Sequence, residues 1–272
     1  MIGILANNII RIGVANSISI ETGFDPVDAI EYAKRHHFEL VQIFLNPELL
    51  SKPEILERIR VEQSSFHNIY FHASGYFNVD FFNSKYRDLL YSCIASFNTP
   101  HFIIHFDENY DFVQTLYLAK EGSVIDKIYI ENYFNSIGKS ASFKNISRYI
   151  ELFASNFAGI ELLPVVDIPR FFHAKTGFSI DESLQQFAEL ITGISRINLP
   201  VLLHIIDCND PMQSRESFCS VGEGYIPYPQ IIDLLNQSDI IIEGIILEYE
   251  DKINPLSSRN LLEQLFREQK VE

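Results

Sequence analysis

Eight short apolar runs, each the length of one β-strand and each followed by an amphipathic stretch, constrain this 272-residue chain more than any other feature. They fall at 11–14, 40–44, 68–71, 102–104, 128–130, 163–166, 201–203 and 245–247. The stretches between them read as helices. The first starts in "DPVDAIEYAKRHH", where Asp25 can cap and Pro26 suits the first helical position. The others are expected at 53–63, 84–97, 112–120, 143–155, 182–192, 228–236 and 256–269. Eight strand–helix units in a chain of this length predict a (β/α)8 TIM barrel, an α/β fold, as one domain over residues 1–272. A hydrophobic content of 47% is enough for one large core. An open doubly wound sheet is the competing arrangement, but no GxGxxG or GxxxxGK loop follows any strand. "SFCSVGEGYIP" reads as an insertion between the seventh strand and its helix.

Charge narrows the partners. With 36 acidic against 21 basic residues, the net charge of -15 repels phosphate backbones and acidic membrane surfaces, which disfavours nucleic acid. No apolar run approaches the roughly 18 residues needed to span a bilayer, and the start of the chain lacks a basic leader. Cys93, Cys208 and Cys219 form no CxxC pair and cannot all pair with one another, which suits a reducing compartment. A cytoplasmic protein without a membrane partner is expected, with homo-oligomerisation left open.

The run "IYIENYF" poses the chemical question, because a segment built for burial ends in Glu131, and a lone buried carboxylate is costly. Glu131 has company. His72 in "IYFHAS", His105 in "FIIHFD", Asp167 in "LLPVVDIP", His204 in "VLLHIID" and Glu248 in "IILEYE" also stand just after strands, the third to the eighth in order. In a barrel all these ends meet on one face, so imidazoles and carboxylates converge as ligands for one or two divalent ions, with Zn, Mn, Fe and Mg all compatible. His36, His37, His67 and His101 lie at strand starts or in connections and read as structural, whereas His173 could approach the site from the loop after Asp167. Cys208 has no basic partner nearby in sequence and reads as inert. No GxSxG element supports a covalent hydrolase.

From Phe71 to Glu248, through "FHASGYFN", "IIHFD", "IENYF", "VVD", "HIIDCND", "VGEGYIPY" and "ILEYE", the chain resembles the xylose-isomerase-like barrel superfamily, which includes sugar isomerases and epimerases and endonuclease-IV-type abasic-site nucleases. In the epimerase branch the resemblance implies one metal held by Glu131, Asp167, His204 and Glu248, with Glu131 and Glu248 as the acid–base pair. That branch moves a proton through a metal-stabilised enediolate of a sugar or sugar phosphate. The nuclease branch would add His72 and His105 for a second metal. Its third metal is not expected, since the matching positions read Arg170, Glu216 and Phe218. Arg170, Asn132, His173 and Glu223, the last in the "GEG" element, are the candidate substrate contacts, with a structural ion pair for Arg170 and a loop-structural role for Asn132 equally open, and Phe77, Phe81, Phe82 and Phe134 are the expected pocket walls. A non-catalytic relative and a multi-iron peptide-modifying enzyme, suggested by "ENY" after a strand, complete the alternatives.

Overall fold

Where a strand is buried on both faces, alternate side chains must go to two different cores, and this alternation builds the molecule. The computed structural model describes residues 10–73, 80, 84–97, 101–106, 117, 127–132, 138–154 and 159–268. The expected helix over 112–120 and Phe77, Phe81, Phe82 and Phe134 lie outside the described residues, residue 117 excepted. Eight parallel strands close into a barrel: β1 (Ile12–Ala15), β2 (Leu40–Phe44), β3 (Asn68–His72), β4 (His101–His105), β5 (Lys127–Glu131), β6 (Glu161–Asp167), β7 (Pro200–Ile205) and β8 (Ile241–Leu247). Each pairs with its sequence neighbours, and β1 closes the circle against β8 through Ile12↔Ile245 and Val14↔Leu247.

Ala15, Leu40, Tyr70, Ile103, Tyr129, Leu163, Val165, Leu202 and Ile246 fill the barrel interior as one cluster. The alternate residues, such as Ile69, Phe71, Phe102, Ile104, Ile128 and Ile130, join the larger core between barrel and helices. The period of two has a chemical consequence. Two residues beyond inward-facing Tyr70, Ile103, Tyr129, Val165, Leu202 and Ile246 come His72, His105, Glu131, Asp167, His204 and Glu248. The barrel's own packing therefore aims all six expected ligands into its C-terminal mouth.

The outer helices are α1 (Pro26–Arg35), α2 (Pro53–Glu62), α3 (Tyr86–Ser96), α4 (Lys139–Ala154), α5 (Ile180–Ile197), α6 (Tyr228–Gln237) and α7 (Asn254–Glu268). Asp25 caps α1 by accepting from Val27 N at 2.9 Å, as expected. α5 is longer than the expected 182–192. A Ser179–Glu182 capping box starts it early, and it runs through Gly193, where a Cβ would come within 2.9 Å of Ile150 on α4. Gly193 is thus a close-approach residue rather than a helix stop.

The expected insertion folds as a short antiparallel ribbon, Asp207–Cys208 against Phe218–Cys219. Asp207 anchors the ribbon and the glycine loop beyond it by accepting backbone N–H groups from Cys208, Gly222, Gly224 and Ile226 at 2.8 to 3.4 Å. A Cβ on Gly224 would lie 2.1 Å from that carboxylate, so this position requires glycine. The cysteines are free and buried, and burial pushes the Cys93 and Cys208 thiols up to about 12, which keeps them inert. Among the described residues no helix is long and apolar enough to cross a membrane.

Candidate metal centre

Glu131, 1% exposed at the end of β5, is the hub of the mouth. Its two oxygens face different neighbours. Oε2 lies 2.8 Å from His72 Nε2 and 3.3 Å from His204 Nδ1. Oε1 lies 3.4 Å from His105 Nε2 and 3.3 Å from Arg170 Nη2. Glu248 Oε1 is 3.3 Å from the same His204 Nδ1, and Gln42 of β2 donates to it from Nε2 at 2.6 Å. Burial works to raise Glu131, but the imidazoles of His105 and His204 hold it well below the usual carboxylate range. In Glu248 burial is likewise outweighed, chiefly by His204, so the group sits below its ordinary value. His204 experiences the reverse pull: burial lowers it, and Glu248 and Glu131 together raise it to about 10.

The donor set fits a divalent ion. His204 is fully buried, yet neither ring nitrogen makes a hydrogen bond of acceptable geometry, an expensive arrangement for a group with two polar atoms. Two metal-sized groups exist among the described residues, His72–His204–Glu248 and His72–His105–Glu131. A tetrahedral site with bonds of roughly 2.0–2.1 Å needs ligand atoms about 3.3 Å apart. Glu131 Oε2 to His72 Nε2 at 2.8 Å and His204 Nδ1 to Glu131 Oε2 and Glu248 Oε1 at 3.3 Å each are individual contacts near that spacing, and Glu131 falls outside the His72–His204–Glu248 group itself.

Not every expected residue takes its expected place. Asp167 is in neither metal-sized group, because its Oδ2 lies 2.6 Å from Arg170 Nε. Burial outweighs that guanidinium and, with Glu131 and Glu248 adding repulsion, pushes Asp167 up to about 7. Asn132 is not free to bind substrate. It is fully buried, accepts from Asp167 N at 2.5 Å and donates to Asp167 O at 3.2 Å, which makes it the brace between β5 and β6. His173 uses Nδ1 to accept from Lys175 N at 3.0 Å, capping the turn over Ala174–Thr176 outside the cluster. Glu223 lies exposed on the loop gathered by Asp207, away from the mouth cavity. Gln42 was missed from sequence, although its position two residues beyond inward Leu40 is the same signal that marked the six expected ligands.

Beside the cluster opens a cavity of about 770 Å³ over β1 and β2. His72 and Glu248 form one wall, and Ser17, Thr22, Gln42, Phe24 and Phe44 contribute to the rest. Lys52 and Arg215 also border it, but each is already in an ion pair, with Glu48 at 2.6 Å and Glu250 at 3.1 Å.

The sequence matches no family profile and no curated protein sequence. In three dimensions the chain is similar to a protein described as the probable 3-DHS dehydratase AsbF of Bacillus anthracis, at 10% identity and TM-score 0.60, covering 93% of this chain and 98% of that one. It is similar to the IOLI protein, whose structure holds a zinc atom, at 13% identity and TM-score 0.55, covering 96% and 97%. It is also similar to a D-allulose 3-epimerase from Methylomonas sp. in complex with D-allulose, at 11% identity and TM-score 0.54, covering 94% and 96%. The fold of this chain is that of the xylose-isomerase-like (β/α)8 barrels.

Proposed function

We propose that the chain is a metal-dependent isomerase or epimerase acting on a sugar or a close sugar derivative. One observation carries the reading: His72 and Glu248 belong at once to a metal-sized donor group and to the wall of a polar cavity. An ion held there would act as a Lewis acid on neighbouring substrate oxygens, making the adjacent C–H more acidic. The hydroxyls and amide of Ser17, Thr22 and Gln42 beside the rings of Phe24 and Phe44 suit a polyhydroxylated ligand with one apolar face.

Of the expected acid–base pair, only Glu248 faces the cavity, with 27% of its side chain exposed. It is ionised at neutral pH by the pull of His204 and oriented by Gln42, so it is assigned as the group that takes the proton. Glu131, enclosed by His72, His105, His204 and Arg170, is assigned to the ion alone, whereas Glu248 both borders the ion and takes the proton. The nuclease alternative meets an acidic rim: Asp25, Glu48, Glu248 and Glu250 border the cavity, and its two described lysine and arginine side chains are already paired.

The test is proton exchange. Metal-loaded protein incubated in D2O with a panel of ketoses and aldoses should exchange the C–H beside the carbonyl, read by NMR. Chelator should abolish exchange, and Glu248→Gln should slow it by about 10²–10⁴-fold. Absence of exchange across the panel with loaded protein contradicts the reading.

A further inference from the structure

We propose that Arg170 is a resident cation that takes the place of a second metal ion, so that the chain holds one divalent ion on the Oε2 side of Glu131 while Asp167 serves the guanidinium. The inference rests on the metal-binding part of the function proposed above and concerns how many ions bind and which groups they use.

The two oxygens of Glu131 serve two different neighbourhoods. On one side, Oε2 points into the His72–His204–Glu248 group. On the other, Oε1 points to His105 and Arg170, and Arg170 reaches on to Asp167 Oδ2 at 2.6 Å. The second metal-sized group, His72–His105–Glu131, borrows His72 from the first and borders the guanidinium through Oε1. An ion there would share a ligand with its neighbour and stand against a fixed positive charge. That combination is doubly unfavourable.

Charge balance points the same way. Three carboxylates, Glu131, Asp167 and Glu248, meet in the mouth, and one guanidinium with one divalent ion neutralises them. A second divalent ion beside Arg170 leaves an uncompensated double positive charge in a largely buried site. The i,i+3 spacing of Asp167 and Arg170 across the turn Pro169–Phe172 holds the guanidinium in place, and Asn132 fixes the Asp167 backbone from below. The arrangement makes Asp167 a positioning residue for Arg170, in contrast to the ligand expected from sequence.

The test counts zinc retained by the full chain after gel filtration and measures its affinity by competition with a chromophoric chelator. The natural chain should retain one ion. Arg170→Ala should retain two, because it removes the fixed charge beside Glu131 Oε1 and frees Asp167. Arg170→Lys keeps the charge and should stay at one, and Asp167→Asn should retain one ion with affinity within about threefold. Two ions in the natural chain, a single ion in folded Arg170→Ala, or a tenfold or greater loss of affinity in Asp167→Asn overturns the inference while leaving metal dependence intact. If Arg170→Ala does not fold, the natural chain and Asp167→Asn still decide. A natural chain that retains no zinc overturns both this inference and the metal-dependent function.

Discussion

The barrel carries a glutamate cluster at each end, and the two are built on opposite principles. At the N-terminal end, Glu243 sits at the bulge of β8 and accepts from Tyr129 OH at 2.7 Å, Tyr70 OH at 3.0 Å and Asn68 Nδ2 at 3.5 Å. Every neighbour is a neutral donor, so the carboxylate is satisfied and the strands β3, β5 and β8 are tied together. At the C-terminal end, Glu131 is surrounded by three imidazoles and a guanidinium, and His204 beside it has two ring nitrogens without a proper hydrogen bond. A satisfied cluster stabilises a fold. An unsatisfied one at the mouth beside a cavity is what supports the proposal that something binds there.

The largest expected difference between the two ends lies in metal affinity. His204→Ala should weaken zinc binding by about 100-fold or more, whereas Glu243→Gln should leave it unchanged; chelator competition on both variants measures this. Equal losses would erase the distinction between the ends. Next comes stability. Zinc at about 100 times its dissociation constant adds about 2.7 kcal/mol to the folded state, a rise of roughly 5 °C or more in melting temperature, and His204→Ala should lose that rise. Gln42→Leu removes the donor that orients Glu248 and should cost about tenfold in metal affinity with the fold intact, which sharpens the comparison to a single hydrogen bond. The smallest effect belongs to the N-terminal end, where Glu243→Gln should lower stability by about 1 kcal/mol in chemical denaturation.

The C-terminal end should also respond to pH. In the metal-free chain His204 is raised to about 10, so its protonation stabilises the fold fully below the unfolded value near 6.5, and that stability is lost as pH climbs through 10. Binding zinc at pH 8 should therefore release close to one proton from His204. Calorimetric titrations in buffers of different ionisation enthalpy measure the count. A release of no protons at pH 8 would show that the imidazole is not displaced from its carboxylates.

Much of this was readable from the chain because the barrel imposes a period of two on every strand. Apolar runs locate the strands, and the residue two beyond each inward side chain enters the mouth, which is why His72, His105, Glu131, Asp167, His204 and Glu248 could be picked out from the sequence as candidates that meet there. Gln42 obeys the same rule but is neither acid nor imidazole, so a search for metal ligands passes over it. The partition of Asp167 to Arg170, and of Asn132 to the Asp167 backbone, is different in kind. It depends on distances of a few tenths of an ångström between side chains of equal eligibility, and no spacing encodes that. Glu223 is a further case: Asp207 gathers the glycine N–H groups of the "GEG" element, and the acid between them is exposed.

The central assertion is that the C-terminal mouth of the barrel is a metal centre. An anomalous-scattering map from crystals of zinc-loaded protein addresses it most directly. One strong peak is expected within bonding distance of His72, His204, Glu248 and Glu131, with Arg170 still against Asp167. A mouth without a peak, or zinc found only on the outer surface, would contradict it.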